Sequence, residues 1–240
     1  MQLAVTSRRA VLGVAALVTP ALAVLLAPVR ADNPPPVLPM PTHDLAPDKS
    51  GPQTAVFAGG CFWGVQAVFQ HVKGVTEAVS GYTGGDVADP SYEQVSLGTT
   101  GHAESVRVTF DPTRVSYGKL LQIFFSVTLD PTQVNRQGPD RGTQSRSELF
   151  VSGPEQDQVA RAYVAQLEAV HVFDTPIVTR IDAAGPFYVA EAYHQDYLVR
   201  HPDAPYIVIN DMPKVRRLQQ HFPESWQPTP ATVGKLSPAN

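Results

Sequence analysis

Phe57-Ala58-Gly59-Gly60-Cys61-Phe62-Trp63-Gly64 is the stretch on which the reading of the whole 240-residue chain turns. The run before it, Thr54 to Ala58, is short and apolar and predicts a strand. After it Val65, Val68, Phe69 and Val72 recur at helical spacing, so a helix is expected. Strand, glycine turn and helix together put Cys61, the single cysteine of the chain, at or near a helix N-terminus. Unpaired N–H groups and the helix dipole favour an anion there, so a stabilised thiolate is expected. Gly59 and Gly60 let another molecule approach the backbone closely, and Phe62 and Trp63 supply an apolar wall. A lone cysteine is more often a small buried hydrophobe. Against that, this one occupies the most glycine-rich, aromatic-flanked turn of the chain.

Composition narrows the class. Hydrophobic residues make up 43% and charged residues 17%, enough for a core and too little charge for a disordered chain. A net charge of −4 argues against nucleic acid as a partner. Residues 1–31 read as an export signal: paired Arg8 and Arg9, an apolar run from Val11 to Pro28, then Val29-Arg30-Ala31. The arginine pair is similar to a twin-arginine signal. A periplasmic or otherwise exported protein follows, touching membrane only through an uncleaved signal, and a free thiol in such a protein is notable. Residues 32–52, rich in Pro and Asp, read as a flexible linker. Residues 53–225 form the expected catalytic domain, and 226–240 a disordered tail.

Within that domain, strands are expected at Val75 to Tyr82, Glu104 to Phe110, Glu148 to Ser152 and Ile177 to Ile181. Helices are expected at Tyr117 to Val127, from Pro154 to about Val170, at Ala190 to Arg200, and at Lys214 to His221. The loop Leu129 to Thr143 is long for a connection and is a functional candidate. The order β-α-β-β-α-β predicts an α+β fold, a two-layer sandwich with a ferredoxin-like mixed sheet, helices on one face, and long loops.

Gly101-His102-Ala103-Glu104 leads into the third strand and puts Glu104 at its mouth. Buried beside the thiol, that carboxyl would keep its proton and could give it away. His102 is a second candidate base, expected to point away from the thiol if Glu104 faces it.

These residues resemble peptide-methionine (S)-S-oxide reductase, the A-type methionine sulfoxide reductase family. The likeness extends over Gly81-Tyr82-Thr83-Gly84-Gly85, Asp130-Pro131-Thr132-Gln133, Asn135-Arg136-Gln137-Gly138, Gly142-Thr143-Gln144 and Tyr193-His194-Gln195. The resemblance implies Cys61 as nucleophile, Glu104 as proton donor and Tyr92 as donor to the sulfoxide oxygen. It further implies Asp140 as a site carboxylate, with Phe62, Trp63 and Tyr82 binding substrate. It implies reduction of the S epimer of methionine sulfoxide, free or in proteins, through a cysteine sulfenic acid. No metal and no cofactor are expected. The expected reductant is an external thiol, either a thioredoxin-like protein or a small dithiol, and the protein is expected to be a monomer. Three departures stand out. Ser145 replaces a family tyrosine, Leu129 replaces a histidine, and there is no resolving cysteine. A papain-like protease, a peroxide-scavenging thiol enzyme and a non-catalytic methionine-binding module are the competing readings. The first lacks its Cys-Gly-Ser-Cys run.

Overall fold

The chain is described by a computed structural model over residues 37–46 and 50–234. The export signal expected at 1–31 lies outside the described residues. The N-terminal half follows the expected order. β1 (Gln53–Gly59) runs into α1 (Phe62–Gln70), then β2 (Val75–Thr83), a short α2 (Tyr92–Ser96) and β3 (Ala103–Phe110). Next come α3 (Tyr117–Ile123), its π-helical continuation Phe124–Thr128, and a small hairpin of β4 (Arg136–Gln137) and β5 (Asp140–Arg141). β6 (Ser147–Val151), α4 (Pro154–Ala169), β7 (Arg180–Ala183) and β8 (Tyr188–Val189) follow. α5 (Tyr197–Arg200), a π turn Ile207–Asp211 and α6 (Met212–His221) complete the domain.

The main sheet has the strand order β7-β6-β1-β3-β2-β8. Its centre, β6-β1-β3-β2, is antiparallel throughout, and β7 adds to β6 in parallel. This is the ferredoxin-like arrangement that β-α-β-β-α-β predicts. Alternation along the strands sends Phe57, Val106, Val108, Phe110, Leu149 and Val151 into the main core under the helices. Phe57 stacks on Phe69 of α1 with ring centroids 4.6 Å apart. Among the described residues, the opposite face carries a small cluster of Val56, Ala58, Ala103 and Phe150, covered in part by Phe187.

Three expectations are corrected. Residues 37–46, part of the supposed linker, are a strap packed across α3 and α4. Leu38 is 2% exposed, its N–H donates to Ser126 Oγ at 3.2 Å, and its carbonyl accepts from Gln122 Nε2 at 2.7 Å. Tyr163 donates to Pro39 O, and Gln166 binds both Met40 and Thr42. Apolar residues interspersed among the prolines outweigh the flexible composition. The supposed tail is also packed over 226–233. Trp226 bridges to Val72 and stacks on His71 at 4.4 Å, and Ala231 N–H donates to Gln70 O. Finally, the helix expected at Ala190 to Arg200 is reduced to Tyr197–Arg200. The Gln195 side chain bonds Ser80 O and Ala190 O, and Asp196 adopts a left-handed φ of 54°. These contacts hold the chain in a turn.

Leu38→Ala tests the strap. It should cost roughly 2–5 kcal/mol in urea unfolding, as for a buried leucine, with little change in the chemistry of Cys61. A loss below about 0.5 kcal/mol, the usual range for surface substitutions, would return the segment to the status of a linker.

Candidate active site

Cys61 is the N-cap of α1, directly after the turn at Gly59 and Gly60. Gly60 has φ 82°, and a Cβ there would come within 2.5 Å of Gln137. Both its angle and its space therefore demand glycine. Gln137 is itself clamped to Asp130 through its amide in both directions. The long loop thus folds back onto the cysteine turn and brings Asp140 with it.

The β2–β3 register brings the start of β3 alongside, with Tyr82 opposite Glu104. Glu104 shares the face of Val106, Val108 and Phe110, points under α1, and is 8% exposed. Its Oε2 accepts the Phe62 N–H at 3.2 Å, one of the free donors of the first helical turn. Burial pushes its carboxyl up to about 8, opposed by the Phe62 N–H and aided by Asp140 and Asp211. Near neutral pH Glu104 therefore carries a proton. A cavity of about 250 Å³ is lined by Cys61, Trp63, Tyr92, Glu104, Asp140 and Tyr206, with Ser96, Arg141, Gln144 and Ser145 at its wall.

The thiol does not behave as the helix end alone predicts. Burial, then the charges of Asp211 and Glu104, push Cys61 well above its ordinary range, against Lys214 and the Trp63 N–H. The expectation of a resting thiolate is thus corrected: one helix end does not offset burial among carboxylates. Tyr92, at the start of α2, is pushed up to about 12, first by burial and then by Glu104 and Cys61. It stays a hydroxyl donor over the whole working range.

Residues 53–226 match the family model described as peptide methionine sulfoxide reductase. The chain belongs to that family. A relative named peptide methionine sulfoxide reductase MsrA 2, from Mesorhizobium japonicum, is 56% identical over 79% of this chain and 96% of its own length. A Deinococcus radiodurans protein named peptide methionine sulfoxide reductase MsrA is 52% identical over 71% of this chain and 82% of that protein. Among solved structures, reduced Mxr1 from Saccharomyces cerevisiae is similar, with TM-score 0.58 and 30% identity over 66% of this chain and 91% of that one. Methionine sulfoxide reductase A of Corynebacterium diphtheriae gives TM-score 0.56 and 33% identity over 66% of this chain and 79% of its own.

Of the residues the family resemblance singles out, Cys61, Trp63, Tyr92, Glu104 and Asp140 meet at the cavity. Phe62 and Tyr82 do not line it. Phe62 is 1% exposed and lies behind the cavity among the rings of Tyr82, Tyr92 and His194. Tyr82 is fully buried, and its hydroxyl donates to Glu191 Oε2 at 2.8 Å. Tyr82 thus stands behind the cavity, bonded to Glu191, rather than in its wall. Glu191 accepts the Tyr92 N–H on its other oxygen, so one carboxylate fixes both tyrosines. His102 lies in the loop ahead of the strand that carries Glu104. The strand begins at Ala103, and the His102 ring is held in the preceding loop by the Gly85 N–H and Val87 O. Leu129, in the place of the histidine, packs toward the Gly59 turn.

Sequence reasoning missed Tyr206. Its hydroxyl donates to Asp140 Oδ2, and its ring meets Trp63 edge-on at 5.9 Å. Trp63 is further fixed by stacking on Tyr197 at 3.8 Å and by donating Nε1–H to His194 Nδ1 at 3.0 Å. An aromatic in a Pro-Tyr-Ile setting was the available signal, but nothing nearby in sequence ties it to Cys61.

The raised Glu104 gives a stability test. Its folded value, about 8, lies above the ordinary 4.5, so the native state holds the proton more tightly. Its contribution is full below about pH 4.5 and is lost as pH rises through about 8, by at most about 1.4 kcal/mol per unit. Glu104→Gln should flatten the stability profile in that window. An unchanged slope in denaturation at pH 5, 6.5 and 8 would show that Glu104 is ionised at rest.

Proposed function

We propose that this protein, as a peptide-methionine (S)-S-oxide reductase, reduces the S epimer of methionine sulfoxide through a sulfenic acid on Cys61 and is recycled by an external thiol. The observation that carries the reading is the cavity shared by a nucleophilic sulfur and a protonated buried carboxyl. A sulfoxide needs both: a nucleophile for sulfur and a proton for the departing oxygen.

The methyl group of the substrate rests on the Trp63 ring, which Tyr197 and Tyr206 hold in place. The sulfoxide oxygen accepts from Glu104 and Tyr92, so charge that develops on it meets donors already in position. Cys61 attacks sulfur as Glu104 protonates oxygen. Across the step the oxygen passes to Cys61 and two electrons pass to the substrate: thiol and sulfoxide become sulfenic acid and thioether. Two equivalents of an external thiol then restore Cys61, forming one disulfide and one water. With a single cysteine in the chain, no internal disulfide can intervene. Where many relatives of this type offer a tyrosine as a further donor, Ser145 is buried at the cavity wall. Tyr92 then carries more of the oxygen's stabilisation.

Glu104→Gln should lower turnover by roughly 10²–10⁴-fold, the range for general acid–base help. A peroxide-scavenging enzyme would instead turn over hydrogen peroxide in preference to a methyl sulfoxide. Turnover should also fall as pH rises through about 8, where Glu104 loses its proton. Without added thiol, one methionine should be released per Cys61 and the reaction should stop. Sustained turnover without reductant, or equal rates on the two isolated epimers, would defeat the assignment.

A further inference from the structure

Beneath the first turn of α1 lies an ion pair that the reaction scheme above does not use. Asp211 ends the π turn Ile207–Asp211, and Lys214 belongs to the first turn of α6. The Asp211 side chain is completely buried. Its Oδ1 accepts from Lys214 Nζ at 3.0 Å, and its Oδ2 has no hydrogen-bond partner among the described residues. A buried carboxylate oxygen without a donor is costly, and a purely structural ion pair would satisfy it. The pair also bears directly on the helix that carries the nucleophile. A Cβ on Gly64 would come within 2.1 Å of Asp211 Oδ1 and 3.0 Å of Lys214 Nζ. Gly64 is thus glycine for space, and its absent side chain lets the Asp211 carboxyl lie flush against the turn that Cys61 caps; burial pushes that carboxyl up and Lys214 opposes the rise.

We propose that Asp211 and Lys214 form a positioning pair that sets the charge state of Cys61, the anion holding the proton on the resting thiol and the ammonium limiting that hold. The other groups facing Cys61 are Glu104 from β3, Asp140 from β5, Tyr92 from α2, and Tyr206 ahead of the π turn, with Arg141 at the cavity rim. Glu104 is protonated near neutrality, and Tyr206 donates to Asp140. Above about pH 8 Glu104 ionises and adds to the hold on the thiol proton from the β3 side, in the wild type and the variants alike, while Asp211 acts from the helix side. Lys214 is the cation acting on the sulfur there. The inference rests on Cys61 being the nucleophile, but its test needs no sulfoxide.

The test is the rate of alkylation of Cys61 by iodoacetamide between pH 6 and 11 in the full chain. The single cysteine makes the signal unambiguous. Asp211→Asn should move the midpoint to lower pH by about one unit or more, so alkylation near pH 7.5 rises roughly tenfold. Lys214→Gln should move it to higher pH, because Asp211 remains ionised in the alkaline range where the thiol titrates. Lys214→Arg should restore the native profile. An unchanged midpoint in a folded Asp211→Asn protein, as judged by circular dichroism, overturns the proposal. Should that variant fail to fold, Lys214→Gln decides alone, since the Lys214 side chain is 14% exposed and its loss leaves a smaller gap. No shift, or an acid shift, would then reject the pair's role. Failure of the wild type to reduce methionine sulfoxide would reject the function and leave this result standing.

Discussion

The hydrogen bond from Phe62 N–H to Glu104 Oε2 joins the two halves of the site: the first turn of α1 and the mouth of β3. Without the β1–β3–β2 register these elements would not meet, because 42 residues of chain separate the partners. The bond also has a chemical consequence. It occupies one carboxyl oxygen with a backbone donor and leaves the other for a proton that burial retains. Around this link, the aromatic residues fix Trp63, and the returning loop fixes Asp140 through Gln137 and Gly60.

Burial serves the acid and opposes the nucleophile. The same removal from water that keeps Glu104 protonated also keeps Cys61 protonated. A reading based on the helix dipole alone gets the sign of the cysteine's shift wrong, since a half-charge at a helix end is small beside desolvation. Both reacting groups are therefore protonated at rest; Asp140 lies in the cavity wall beside them, while the Asp211–Lys214 pair and Glu191 stand behind it. Glu191 is held as an anion below its ordinary range by the donors it receives, although burial works against it.

Much of this was legible in the sequence where periodicity is strong. Alternation in Glu104 to Phe110 gave both the strand and the face on which Glu104 lies, and Gly59-Gly60-Cys61 marked the turn. Tyr82 shows the limit of a motif: it names a residue without saying where the side chain points, and here it points to Glu191. The region from about 184 to 211 was the least legible. Its backbone turns on side-chain bonds made by Gln195 to β2, and neither helical nor strand period survives there. Tyr206, Glu191 and Asp211 all belong to that region. Composition misled at both ends, because sparse apolar anchors such as Leu38 and Trp226 decide packing that a proline count hides.

The strap at 37–46 has a consequence for the order of assembly. Its partners lie far along the chain, 84 residues on at Gln122, 88 at Ser126, and 124 to 126 at Tyr163 and Gln166. Contacts at such separation close late, after the helices they bridge have formed. On a ribosome the strap can meet Gln122 and Ser126 first, and its contacts with α4 cannot form until that helix has emerged. Its docking then marks the moment at which both central helices are in place.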